Sequence, residues 1–182
     1  MAKLISKTYG EALFELAVED NKVDAFMEEI TMLLEVLRKE EDFTKFMNHP
    51  KILKEDKIQV VENILNGRVS KELVGFFTLI IQKDRYGEAE EILEYFLDQV
   101  KEYKGIGVAY VETAVALTEI QKKQIEERLL QTTKYRQMEM HFSENKALIG
   151  GMVIRIGDRV VDSSVSTKLD ELQKQLMKIQ LG

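Results

Sequence analysis

The residues whose types could do chemistry are two adjacent glycines, two histidines and a few charged clusters. Gly150-Gly151 could open a phosphate-binding turn. A dinucleotide fold, however, needs G-x-G-x-x-G opening a helix, and a P-loop needs a following Gly-Lys-Ser/Thr. Neither surrounds this pair, so the glycines read as positions where strands or a helix approach closely. His49 and His141 lie far apart in the sequence, and neither has an H-x-x-x-H or carboxylate partner at ligand spacing. They read as surface or capping residues. Lys83-Asp84-Arg85 and Asp158-Arg159 are ion-pair candidates for an active site, but charges at helix and strand ends are ordinarily solvated turns. Glu88 and Glu90-Glu91 are explained by the dipole of a helix start. No carboxylate pair is marked out for acid–base work. The chain contains no cysteine, which excludes disulfides, thiolate catalysis and cysteine-ligated metals. No catalytic, cofactor-binding or metal-binding residue is expected.

With 182 residues, 45% of them hydrophobic, the chain can bury a core of one large or two small domains. A net charge of −6 repels a phosphate backbone on average, which argues against nucleic acid. No apolar run reaches the ~18 to 20 residues of a membrane span, and no signal-peptide core opens the chain. A cytosolic location, with room for a place on a membrane complex, is expected.

The elements that position these residues are mostly helices, and the single proline, Pro50, favours long ones. Ile5, Tyr9, Ala12, Leu13, Leu16 and Ala17 form an apolar stripe over 3–20, widened by Phe14 and Val18. Val23, Phe26, Met27, Ile30, Leu33, Leu34 and Leu37 predict a second helix over 22–39, with Arg38-Lys39 at its end as the macrodipole prefers. Phe43, Phe46 and Met47 predict a short third helix stopped by Pro50. Ile58, Val61, Ile64 and Leu65 predict a fourth that ends near Gly67. Ser70 is the expected N-cap of a fifth, in which Leu73, Val74, Phe76, Phe77, Leu79, Ile80 and Ile81 leave almost no polar face. Such a helix is central or faces a partner. Gly75 inside it costs about 1 kcal/mol relative to alanine, and a close helix approach would explain it. A sixth helix from about Gly87 aligns Ala89, Leu93, Phe96, Val100 and Tyr103 and ends at Lys104-Gly105.

Helical periodicity stops at Gly105-Ile106-Gly107, and a strand-like run, Val108 to Val115, follows. A helical domain over 1–105 and a sheet-plus-helix domain over 106–182 are expected. Thr118-Glu119-Ile120-Gln121 is a capping box opening a helix to about Thr132. Met138, Met140 and Phe142 alternate with Glu139 and His141, and Met152, Ile154 and Ile156 with Val153, Arg155 and Gly157. Turns at 143–146 and at Gly157-Asp158 make the stretch read as a small antiparallel meander. In the last helix Val165, Leu169, Leu172, Leu176 and Ile179 form a heptad-like seam that could meet the sheet or another chain. The fold class is α+β: an N-terminal six-helix bundle followed by a small C-terminal α/β domain with a mainly antiparallel sheet.

The first and fifth helices carry more apolar surface than a bundle needs. Both could be plain interior helices. A groove between such helices is also how an amphipathic partner helix is bound. The run Leu148-Ile149-Gly150-Gly151-Met152-Val153-Ile154-Arg155-Ile156-Gly157-Asp158, continued by Val160-Val161-Asp162-Ser163-Ser164-Val165 and Leu169, closely resembles the signature of the delta subunit family of bacterial F-type ATP synthases. The mitochondrial member of that family is the oligomycin-sensitivity-conferring protein. Tyr9 to Ala17 resembles the opening helix of the family, and Thr113-Ala114 with Leu117-Thr118 and Gln121 resembles its entry to the second domain. The chain departs from the family at Glu144-Asn145, where an apolar residue and an acid are usual, and at Gly10, which stands for a commoner alanine.

The resemblance implies a non-catalytic peripheral-stalk, or stator, subunit. Such a subunit links the alpha subunits of the catalytic head to the b-subunit stalk and resists rotor torque during proton-driven ATP synthesis, at the cytoplasmic face of the cell membrane. Carried over by position, the groove for an alpha N-terminal helix would involve Tyr9, Ala12, Leu13, Leu16, Gly75, Phe76, Leu79 and Lys83. The b stalk would meet Leu172, Leu176 and Ile179, and Gly150, Gly151, Arg155, Gly157, Asp158 and Asp162 would be the family signature. No cofactor, small-molecule ligand, nucleic acid or membrane insertion is implied. The competing readings are a helical interaction scaffold outside ATP synthase and a small-ligand binder or enzyme using Gly150-Gly151. The first has no account of the glycine-pair signature, and the second lacks the motifs.

Overall fold

The computed structural model describes residues 2–180, and the side chains of all of them except those at 2, 3, 41 and 176–180. The described residues are mostly helical, with eight α-helices and a four-stranded sheet. The chain divides into two compact units, Met1–Lys101 and Glu102–Gly182.

The first unit is built from α1 (Ala2–Glu19), α2 (Val23–Lys39), α3 (Glu41–Met47), α4 (Lys54–Leu65), α5 (Lys71–Gln82) and most of α6 (Ala89–Lys104), which a 3-10 turn at Tyr86–Glu88 introduces. Each long helix buries the stripe its spacing specifies. On α2, Phe26, Ile30 and Leu34 step by four into the core. On α6, Ile92, Leu93, Phe96 and Val100 do the same, while Tyr103 is 63% exposed. Phe96 is the hub. Its ring lies 6.5 Å from that of Phe14 on α1 and 6.4 Å from that of Phe26 on α2, so one side chain ties three helices.

Gly10, the departure on α1, lies at a close approach. A Cβ there would come within 2.5 Å of Tyr95 Cδ1 and 3.2 Å of the Ile92 carbonyl oxygen on α6. Around that contact the Ser6 hydroxyl donates to Glu91 (3.0 Å) and the Tyr95 hydroxyl to Glu11 (3.2 Å). Gly75 on α5 corrects the expectation made for it: a Cβ there would meet nothing within 4 Å, so no helix crosses at that glycine. Ser70 stands at the N-cap of α5, but its hydroxyl and its backbone N–H both donate to Glu29 on α2 and it makes no side-chain cap bond. The serine therefore joins two helices instead of closing its own.

The second unit runs β1 (Ile106–Thr113), α7 (Glu119–Thr132), β2 (Gln137–Glu144), a 3-10 turn at Lys146–Leu148, β3 (Met152–Ile156), β4 (Arg159–Asp162) and α8 (Val165–Gln180). The sheet order is β2-β1-β3-β4, which corrects the meander. β3 and β4 are an antiparallel hairpin, but β2 is not their neighbour. It pairs in parallel with β1, from Ile106↔Gln137 to Thr113↔Glu144. The physical reason is α7: a helix between two strands carries the chain back to its starting end, so the second strand runs parallel to the first. Alternation shows which face of a strand is apolar and carries no information about its neighbour. The capping box at Thr118 and Gln121 is present as expected, and α7 ends at Thr132.

Candidate functional site

α1 and α5 line an open groove of about 580 Å³. Its wall on α1 carries Tyr9, Ala12, Leu13 and Leu16, and its wall on α5 carries Gly75, Phe76 and Leu79. The spacing explains the arrangement. Residues 9, 12, 13 and 16 recur at the three-four step of one helix face, as do 75, 76 and 79 on the facing helix. Leu13 (1% exposed) and Phe76 (8%) belong to the core and form the floor, whereas Leu79 remains 41% exposed. The Tyr9 ring meets the Phe76 ring edge-on, centroids 6.5 Å apart at 71°, as aromatic quadrupoles prefer. Gly75 leaves the middle of the α5 wall bare, and this opens the groove.

The eighth residue assigned by position, Lys83, does not line the groove. It is the exposed C-cap of α5, its backbone N–H bonded to the carbonyls of Leu79 and Ile81. The residues that sequence reasoning missed are polar: Thr8, Glu15, Glu19 and Glu72 share the lining. Glu15 and Glu19 sit four apart on α1, so helical spacing held the signal. Lys22 donates to Glu72 at 2.6 Å. That hydrogen bond holds the Glu72 carboxyl below its ordinary range and raises the lysine. The result is an apolar trough with an acidic rim.

A second apolar cavity of about 320 Å³ lies among α2, α4 and α5, between Leu33, Val36, Val61, Ile64 and Phe77. No sequence signal singles it out. Tyr86 also lines it, and burial pushes that phenol upward in pKa.

In the second unit the signature residues hold the fold. Gly151 takes φ +76, and a Cβ there would lie 2.4 Å from the Ser163 carbonyl oxygen, so only glycine fits both the backbone and the contact. The Val165 N–H donates to the Gly150 carbonyl at 2.9 Å, joining the glycine pair to the root of α8. Gly157 (φ +55) opens the turn between β3 and β4, and Asp158 is exposed in it. The Arg155 guanidinium lies 5.0 Å from the Tyr110 ring centre, and that ring stacks on His141 at 4.9 Å. Asp162 accepts from the Ser164 N–H (2.8 Å) and the Thr167 hydroxyl (2.7 Å), capping α8. These bonds hold its carboxyl below the usual range.

Of the residues assigned to a stalk contact, Leu172 is 54% exposed, and the side chains of Leu176 and Ile179 lie outside those described. His49 and His141 stay apart in separate units, and among the described residues no three His, Asp or Glu side chains gather as metal ligands would.

The sequence model of the family described as ATP synthase delta (OSCP) subunit matches residues 5–176. A protein called ATP synthase subunit delta from Lachnoclostridium phytofermentans is 54% identical over 182 residues, covering 100% of both chains. Another of that name, from Natranaerobius thermophilus, is 33% identical, covering 96% of this chain and 97% of its own. Among solved structures, a chain of the Toxoplasma gondii mitochondrial ATP synthase hexamer has the same fold, with a TM-score of 0.70 at 19% identity over 94% of this chain and 97% of that one. On this match of model, relatives and fold, the chain belongs to the ATP synthase delta (OSCP) subunit family.

Proposed function

We propose that this chain is a non-catalytic stator subunit in the peripheral stalk of an F-type ATP synthase. It links the alpha subunits of the catalytic head to the b-subunit stalk and keeps the head from turning with the rotor. Within that reading, a domain over 1–105 grips the head and a domain over 106–182 meets the stalk. The observation that carries the reading is the acid-rimmed apolar groove between α1 and α5, in a chain that matches this family over residues 5–176.

The work is mechanical. A stator needs interfaces that dissociate slowly, and two modules engaging two partners of one assembly gain affinity through effective concentration. An amphipathic helix laid in the groove would bury its apolar face on Leu13, Phe76 and Leu79, with basic side chains near Glu15, Glu19 and Glu72. The attachment is peripheral, at the cytoplasmic face of the cell membrane. No described helix is long and apolar enough to cross a membrane.

The test is a titration of the full chain with a peptide of the first ~20 residues of the cognate alpha subunit, about 30 Å long if helical, followed by amide NMR. Saturable shifts over Tyr9 to Leu16 and over Glu72 to Leu79 are expected, with binding weakened by salt and about tenfold by Leu79→Asp. Absence of binding, or shifts confined to 147–158, would remove the groove from the account.

A further inference from the structure

We propose that α8 is a latch: its exposed apolar seam closes onto a groove between α7 and β3 of the same unit. The groove measures about 360 Å³, and its apolar lining is Leu117, Ile125, Leu129, Met152 and Ile154. It exists because of the strand order. α7 packs chiefly on β2, at one edge of the sheet, while β3 lies two strands away beyond β1. Met152 and Ile154 pair with Thr113 and Val111 of β1 and share their face, so the side of that face beyond α7 is left uncovered.

The complementary surface lies on the next element. Val165, Leu169 and Leu172 recur at steps of four and three along α8 and are 38%, 50% and 54% exposed. α8 packs mainly against the turn at Lys146–Leu148, and that contact leaves the seam open. Two uncovered apolar surfaces joined by a short tether associate, because tethering makes the second contact intramolecular.

Three features fit this helix to this groove. The root of α8 lies at the groove's mouth: the Val165 N–H is bonded to Gly150, two residues before Met152, and the Ser163 N–H to Met152 itself. The lengths agree, because Val165 to Leu172 spans roughly 10 Å of helix and Gln121 to Leu129 of α7 roughly 12 Å. Charge agrees as well. Arg128 lines the far end of the groove, where a closed α8 would bring Asp170 and Glu171, the residues just before Leu172. Closing turns α8 about the Ser163–Ser164 link: the Thr167 N–H bond to the Ser164 hydroxyl travels with the helix, while the bonds that cross the link, from Ser164 and Thr167 to Asp162 at the end of β4 and from Val165 to Gly150, are given up for the apolar contact. A closed latch hides the seam from any partner helix, which then has to displace it. The latch does not rest on the stalk reading, since the free chain suffices to show it.

The chain has no cysteine, so the full-length Lys123→Cys/Lys174→Cys variant takes two nitroxide labels and nothing else. Both positions are exposed and neither lines the groove. Electron–electron distance measurement on the free protein is expected to give two populations, the shorter one closed. Leu172→Asp should shrink the short population about tenfold, the effect of losing one buried leucine. Leu129→Asp should do the same from the groove side, with helix content unchanged in circular dichroism because α7 buries no residue fully. A single population that neither substitution moves, or a short one that survives both, overturns the latch.

Discussion

The two units spend their apolar residues differently. In the first, twenty buried side chains among the described residues form one cluster, and α5 alone contributes six of them. In the second, α7 buries none, every residue of β4 is exposed, and Val115, Ile120, Val160, Val161, Leu169 and Leu172 all face outward. The first unit therefore carries a core of its own, with the trough between α1 and α5 and a smaller apolar cavity among α2, α4 and α5 left in its surface. The second is held by its β ladders, two capped helices and the glycine pair, and offers apolar surface to other elements. One unit thus closes its own core, whereas the other leaves apolar surface that a further contact could bury.

The largest break in that contrast comes from Phe96→Ala. Removing a fully buried ring that touches two other aromatic rings should lower the stability of the first unit by roughly 3–5 kcal/mol. Leu172→Ala, at a half-exposed position, should stay within about 0.5 kcal/mol. Urea unfolding of both variants measures the difference. Equal losses would mean that the second unit is as well packed as the first.

Gly151→Ala probes the second unit where it is specific. The backbone conformation alone costs roughly 1–3 kcal/mol for a side-chain-bearing residue, and the clash with the Ser163 carbonyl adds to it. Native-state hydrogen exchange should show early opening of β3, β4 and the root of α8, with α2 and α6 protected as before. Loss of protection throughout both units would show instead that they unfold as one.

Gly75 is a place where the first unit can gain stability. Alanine there meets open space and should stabilise α5 by up to about 1 kcal/mol, read as a higher urea midpoint. Gly75→Leu should keep the fold and fill the trough, abolishing binding of the alpha peptide. A leucine variant that still binds would place the partner elsewhere.

How much of this is legible in the sequence follows from what each pattern encodes. Apolar stripes on α1, α2, α5 and α6 specify the helices and their buried faces, because a helix face is fixed by local spacing. The capping box at Thr118 is legible whole, since both partners lie within four residues. Neighbour relations are not. Nothing in 137–144 says that β2 pairs with β1 and not β3, and nothing near Gly10 says that the distant Tyr95 fills the space above it. The glycine at 75, which its place in a helix assigns to a close approach, lines an opening. The seven groove residues come together because α1 and α5 are each marked by surplus apolar surface, while the acids of the rim look like ordinary solvated helix charges.

The smallest effect concerns the cap of α8. Asp162 accepts hydrogen bonds from the Ser164 N–H and the Thr167 hydroxyl, and its carboxyl is held below the usual range, by the backbone bond first. A carboxylate depressed in the folded state stabilises at pH values above its unfolded pKa, and that contribution is lost as pH falls through the folded one. Wild type and Asp162→Asn should therefore differ in exchange protection of the first turn of α8 at pH 6 and begin to converge below about pH 4, where an unperturbed aspartate starts to be protonated. The half-buried Lys22–Glu72 pair of the first unit titrates in the same direction, but α5 is held by six buried side chains, so α5 protection should hardly change over that range. Acid that opened both helices alike would show that α5 depends on its ion pair as α8 depends on its cap.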